Sequence, residues 1–331
     1  MDKTMKVKPI LFAVLVAAVL VAVISMSSCT KQKETIPTEQ KKHLEVILRS
    51  QNGDYWKTVK MGAEVAAKEF DVALDFRAPG DEADVKGQIA LMEQSISSGP
   101  DAIVLAANGY KELSGVVDDA STRGIPVITI DSEVENRKAK SFIGANNYEA
   151  GQLAGKQLIQ LAGTSGDIAI VSFMQGERNT ELREQGLLEE LSKYPDVKVI
   201  DKVYSMTDYE LAAQLTHNMM EKYPQLDGIV ALNEISSIGV AHAIQSMNLQ
   251  DKVKIITFDS TSEELELLQE GVIQATIIQN PFSIGYLGVK NAVEASKGKK
   301  VPSRVDTGIK AIDLNNMFWS DNQKLLFPFI K

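Results

Sequence analysis

Cysteine is almost absent: Cys29 is the single one in 331 residues. A lone cysteine closes no intrachain disulfide, so the fold must rest on a hydrophobic core. Histidine is nearly as scarce. His43, His217 and His242 stand far apart without metal-site spacing, which excludes a zinc site of the usual kind. Excess positive charge is lacking too: 35 Lys and Arg face 44 Asp and Glu, a formal net charge of -9. An acidic chain of this kind repels a phosphate backbone, so nucleic acid is not an expected partner. With 44% hydrophobic and 24% charged residues, the chain reads as soluble and globular, long enough for two domains. Neither a cofactor nor a metal is expected.

One long apolar run is present, at the start. Lys3, Lys6 and Lys8 precede an uncharged stretch from Ile10 to Ile24, and Met26-Ser27-Ser28-Cys29 follows. A basic region, an apolar run and small residues before a cut site make a signal peptide over 1–28. Small residues directly ahead of the cysteine resemble a bacterial lipoprotein box, with Cys29 lipidated as the new N-terminus. An uncleaved membrane anchor is the competing reading. Both place the remainder outside the cytoplasmic membrane. Residues 29–43 are mostly polar without apolar periodicity and read as a flexible tether.

From residue 44 short Val- and Ile-rich runs alternate with longer amphipathic stretches. The pattern predicts strands at 44–48, 72–76, 102–106, 127–130 and 141–143, with helices at 55–70, 81–98 and 111–123. A second series predicts helices at 147–162, 179–193, 208–222, 235–247 and 262–270. Its strands fall at 168–171, 197–203, 228–232, 253–258 and 275–278. Pro281 suits the first turn of a last helix, to about 297. Strands apolar throughout belong to parallel sheets covered by helices on both faces. The expectation is α/β, with two doubly wound, Rossmann-like lobes. An eight-stranded α/β barrel is the competing fold.

Open parallel sheets bind ligands beyond the carboxyl ends of their strands. Asp131, Asn233, Asp259 and Gln279 each directly follow an apolar run. Asn52 follows the first strand, Tyr55 and Trp56 open the first helix, and Arg183 lies near the start of 179–193. Asp, Asn and Ser at such turns also cap helices, and the aromatics also suit a core. No nucleophile–base pair is among these residues, so an enzyme is not expected. A sugar suits them: Asp131 and Asp259 accept from hydroxyls, Asn233 and Gln279 accept and donate, and Arg183 donates in a fork. The apolar C–H face of a sugar ring suits Tyr55 or Trp56.

Taken in order, Asn52-Gly53-Asp54-Tyr55-Trp56, GIPVITIDS, Asn146-Asn147, Arg183-Glu184-Gln185-Gly186, Asn233-Glu234, IITFDS and Ile278-Gln279-Asn280-Pro281 resemble the ribose- and galactose-type periplasmic sugar-binding proteins of ABC transporters. These share their fold with the ligand domains of the lactose-repressor family. The resemblance covers about 44–312. It implies a type I periplasmic binding protein, two lobes joined by a three-strand hinge, with ligand contacts at Tyr55, Trp56, Asp131, Arg183, Asn233, Asp259 and Gln279. It implies a first lobe of 44–145 plus 280–307 and a second of 146–279 plus 308–331. The sequence departs from the pattern at Gly53-Asp54, where a proline step is usual. It departs also at Ser132, where ribose binders carry an arginine, and at Arg49, where a small polar residue is common. The tail after Ile312 runs past the family's usual end.

The expected function is therefore capture of a monosaccharide or related polyol by lobe closure, and delivery to an ABC permease, by a monomer held at the membrane by lipid on Cys29. Three alternatives remain open: the same body reporting to a membrane histidine kinase, a non-sugar ligand such as a polyol, a nucleoside or a furanone signal, and a secreted glycosidase using Asp131 and Asp259.

Overall fold

Every residue is buried in the four-residue strands AIVL, VITI, GIVA and ATII. A strand with no solvated face needs cover on both sides, and amphipathic helices supply it. The structure, a computed structural model, describes residues 41–327. The signal peptide, Cys29 and most of the tether fall outside the described residues.

The first sheet takes β1 (His43–Ile47), β2 (Ala73–Arg77), β3 (Ala102–Leu105), β4 (Val127–Ile130) and β5 (Ser141–Gly144). Helices α1 (Asp54–Glu69), α2 (Val85–Ser98) and α3 (Ser114–Thr122) connect them. The second sheet takes β6 (Ser165–Ser172), β7 (Asp196–Tyr204), β8 (Gly228–Ala231), β9 (Lys254–Phe258) and β10 (Ala275–Ile278). Its helices are α4 (Asn147–Ala162), α5 (Arg178–Leu191), α6 (Tyr209–Lys222), α7 (Glu234–Ser246) and α8 (Ser262–Gln269). Helix α9 (Pro281–Ser296) then returns to the first sheet, packing on α1, β3 and β4. Short strands β11 (Arg304–Asp306) and β12 (Lys310–Ile312) and helix α10 (Ser320–Leu326) close the described chain.

The strand orders match: β11-β5-β4-β3-β1-β2 in one sheet and β12-β10-β9-β8-β6-β7 in the other. All pairings are parallel except β10 with β12. The protein is thus α/β, with two doubly wound units rather than a closed barrel. The chain passes between sheets three times: after β5, after β10, and between β11 and β12.

Each sheet carries apolar clusters built on its own strands. Helix pairs meet closely at glycine. A Cβ on Gly186 of α5 would stand 2.0 Å from the Tyr148 carbonyl oxygen of α4. One on Gly62 of α1 would stand 2.0 Å from the Phe282 carbonyl oxygen of α9. No side chain fits at either crossing.

Two sequence expectations change. Helix α2 starts at Val85, not at 81. The Asp81 carboxylate accepts from the N–H groups of Ala83 and Asp84, and Asp84 caps the helix at Gly87 N–H, so 81–84 form a turn. Strands β11 and β12 and helix α10 were not expected. Each strand is three residues long and partly exposed, and gives no apolar run.

Candidate functional site

The carboxyl ends of both sheets face one cavity of about 230 Å³. All eight side chains singled out from the sequence line it: Asn52, Tyr55, Trp56, Asp131, Arg183, Asn233, Asp259 and Gln279. Four come from elements of the first sheet and four from the second.

Asp131 follows β4 and Asp259 follows β9, and both are buried. Their φ angles, 59° and 77°, lie in the left-handed region. Asp tolerates that region better than most residues because its short side chain bonds locally. Asp131 is held by neighbours of its own sheet: Tyr55 Oη donates to Oδ1 at 2.6 Å and Ser132 Oγ to Oδ2 at 2.8 Å. Burial, ahead of the charges of Asp131 and Asp259, pushes the Tyr55 hydroxyl well above its ordinary pKa, so it stays a donor. Gln279 Nε2 donates to Asp259 Oδ1 at 3.0 Å. Burial raises the Asp259 carboxyl while Arg183 and Gln279 oppose that rise.

Arg183 is placed by the close crossing at Gly186. Its Nε donates to Asn147 Oδ1 at 2.7 Å and its Nη1 to the Leu232 carbonyl at 2.6 Å. The guanidinium lies over the Phe258 ring, 4.5 Å from its centre. Two donors are thereby fixed, the plane is stacked, and Nη2 makes no hydrogen bond among the described residues. A planar cation held this way presents its remaining N–H groups without rotamer cost.

Asn233 serves two ends. Its Oδ1 caps α7 at Ser236 N–H, the capping role weighed for such residues. Its amide NH2 donates to no protein group among the described residues. Trp56 also serves two: it belongs to a buried core cluster and lines the cavity. Its Nε1 donates to Glu82 Oε1 at 2.9 Å, and Tyr55 stands edge-on to it at 5.1 Å. Asn52 is exposed, and its Nδ2 reaches the Gly80 carbonyl at 3.4 Å.

Sequence reading missed Glu82, Phe173, Asn179 and Thr207, which line the same cavity, and Glu177 beside it. Phe173 directly follows β6, so the strand-end rule applied to every strand would have found it, whereas Glu82 lies five residues past β2, in the turn before α2. Arg49, which follows the first strand and departs from the family pattern, lines the cavity as well. It is almost fully buried, bonded to Ser132 Oγ at 2.9 Å and paired with Glu82 at 2.9 Å and Glu177 at 2.6 Å. Glu234, singled out beside Asn233, also lines the cavity, and burial lifts its carboxyl to about 8.

Among the described residues no cluster of His, Cys, Asp and Glu is arranged to hold a metal. The arrangement offers fixed donors and acceptors around a small polar volume.

Such a cavity between two like α/β units defines a binding protein of the two-lobed kind. The family described as "Periplasmic binding protein domain" matches residues 44–300, and the chain belongs to it. The D-allose-binding periplasmic protein of Escherichia coli K12 is 26% identical over 277 residues, covering 81% of this chain and 89% of that protein. Among solved structures, a carbohydrate-transporter solute-binding protein of Agrobacterium radiobacter in complex with D-arabinose superposes with a TM-score of 0.84 at 31% identity. The match covers 87% of this chain and all of that one. A periplasmic component of a sugar transport system from Hahella chejuensis is 32% identical with a TM-score of 0.79, covering 82% of this chain and 99% of that one.

Proposed function

We propose that this protein is an extracytoplasmic solute-binding protein that captures a monosaccharide between two lobes and delivers it to an ABC permease. The convergence of Tyr55, Trp56, Asp131, Arg183, Asn233, Asp259 and Gln279 on one cavity carries this reading. That volume suits a single sugar ring and excludes a long oligosaccharide. Carboxylates accept from ring hydroxyls, Arg183 and Asn233 donate to them, and Trp56 covers a C–H face. The lobes are 44–145 plus 280–307 and 146–279 plus 308–331, hinged at the three crossings. Contacts available only with both lobes on the ligand drive closure. Lipid on Cys29 holds the protein, as a monomer, at the membrane.

Calorimetric titration against pentoses, hexoses, 6-deoxyhexoses and polyols tests the reading. One sugar binds the wild type tightly, and Asp259→Ala and Trp56→Ala bind it much more weakly. Equal binding by both variants would remove these residues from the site.

A further inference from the structure

Three successive residues of the second sheet's unit reach across the cleft to the first. Glu177, immediately before α5, accepts from Arg49 Nη2 on both oxygens, at 2.8 and 2.6 Å. The Arg178 guanidinium lies 5.8 Å from the centre of the Tyr110 ring. Asn179 Nδ2 lies 3.3 Å from the Asp131 carbonyl and 3.4 Å from Ser132 Oγ. Arg49, Tyr110, Asp131 and Ser132 all belong to the first sheet's unit. Arg49 and Glu177 are both buried. None of these contacts needs a ligand.

We propose that Glu177-Arg178-Asn179 is a cross-cleft clasp, with the Arg49–Glu177 pair at its centre, that draws the lobes together from the protein side. The inference rests on the two-lobe closure reading and goes beyond it: part of the closing free energy is built into the chain. A ligand contact that exists only in the closed form rewards closure after binding. The clasp rewards it beforehand. The fraction already closed then sets the apparent affinity, because a less populated competent state weakens binding in proportion.

The geometry favours net attraction despite the cost of drying Glu177. A buried ion pair repays desolvation only when it is well oriented and its other groups are bonded. Here the contact involves both carboxylate oxygens, Ser132 Oγ accepts from Nη1, and Glu82 pairs with Arg49 from its own lobe, while Nε alone of the three guanidinium nitrogens is left without a hydrogen bond. When the lobes part, Arg49 keeps Glu82 and Ser132, and only the Glu177 contact is lost. Glu177 is thus a positioning residue, acting on the sugar through lobe geometry, whereas Arg49 also lines the cavity.

Small-angle scattering of the ligand-free full chain tests the clasp without any sugar. Glu177→Gln keeps the shape and removes the charge, so its ligand-free radius of gyration should exceed the wild-type value. Glu177→Asp, which restores the charge, should fall between them. The melting temperatures of all three should lie within a few degrees of one another, the share of stability that closure itself supplies. With D-allose as probe, Glu177→Gln should release sugar about tenfold faster than wild type. Identical ligand-free scattering of wild type and Glu177→Gln would overturn the clasp. Failure of D-allose to bind any of the three counts against the choice of sugar, and the ligand-free scattering then decides the clasp by itself.

Discussion

Asp131 and Asp259 occupy corresponding places in the two sheets, each directly after the third strand in order, and each with a positive φ. The repeat of the fold thus places two acceptors opposite one another across the cavity. Their settings differ. Asp131 has a side-chain donor on each oxygen, Tyr55 and Ser132, whereas Asp259 has a side-chain donor on one only, Gln279, with the Glu234 backbone N–H and the Arg183 charge beside it. Asp259 therefore keeps one oxygen free of protein side-chain donors.

Removing it should cost more than removing Asp131. Asp259→Ala leaves Gln279 Nε2 without its bond and Arg183 without its counter-charge in a buried site. Unpaired buried groups cost roughly 1–3 kcal/mol each, so sugar affinity should fall by at least about tenfold. Titration of Asp259→Ala and Asp131→Ala side by side reads the difference, with the larger loss expected for Asp259.

Two of the three departures noted in the sequence turn out to be one contact. Arg49 replaces a small residue after β1, Ser132 replaces an arginine after β4, and Arg49 Nη1 donates to Ser132 Oγ. Each was legible alone as an oddity. Their pairing was not, because β1 and β4 lie apart in sequence and only the sheet order brings their ends near each other. Strands β1–β10 and helices α4–α9 were legible within a few residues, since apolar runs and helical periodicity are strong signals there. Asp131, Asp259 and Gln279 were legible because they end such runs. Glu177 was not. It lies four residues past the strand-end Phe173, in a loop whose course depends on the opposite lobe.

Binding should weaken as pH rises. Burial, with the Asp259 charge adding to it, lifts Glu234 to about 8. Opening the cleft returns it to water and to the ordinary carboxylate range. The closed form thus holds more protons than the open form in the window between the ordinary range and this raised value. Closure takes up a proton, is favoured at the acid side, and loses that advantage as pH climbs through about 8. Affinity measured at about pH 6 and about pH 8.5 should differ by at least about tenfold. Glu234→Gln should flatten the slope, and an unchanged slope in that variant would contradict the assignment.

The glycine crossings position the site as much as its polar residues do. Gly186→Ala puts a methyl group against the Tyr148 carbonyl, so α4 and α5 must separate. Overpacking of this kind costs about 1–3 kcal/mol. It also pulls Arg183 from Asn147, which sits on α4. Melting temperature and sugar affinity should fall together. Gly80→Ala, where a Cβ meets nothing within 4 Å, serves as the control on stability.

The tail beyond Ile312 divides into a packed part and an open part, and the two should respond differently to substitution. Met317 and Leu326 are buried in the cluster that also holds Leu265, Leu268 and Ile273 of the second sheet's unit. Asn322 ties the segment down: its Nδ2 donates to the Asn316 carbonyl at 2.9 Å and its Oδ1 accepts from Lys310 Nζ at 2.8 Å. Phe318 and Trp319, between these anchors, are 61% and 65% exposed. Leu326→Ala empties a core position and should cost about 2 kcal/mol or more, lowering the thermal midpoint. Trp319→Ser removes an exposed ring and should leave the midpoint within about half a kcal/mol of wild type. Equal destabilisation by both would mean that Trp319 packs against something, and the tail would then have to be redrawn.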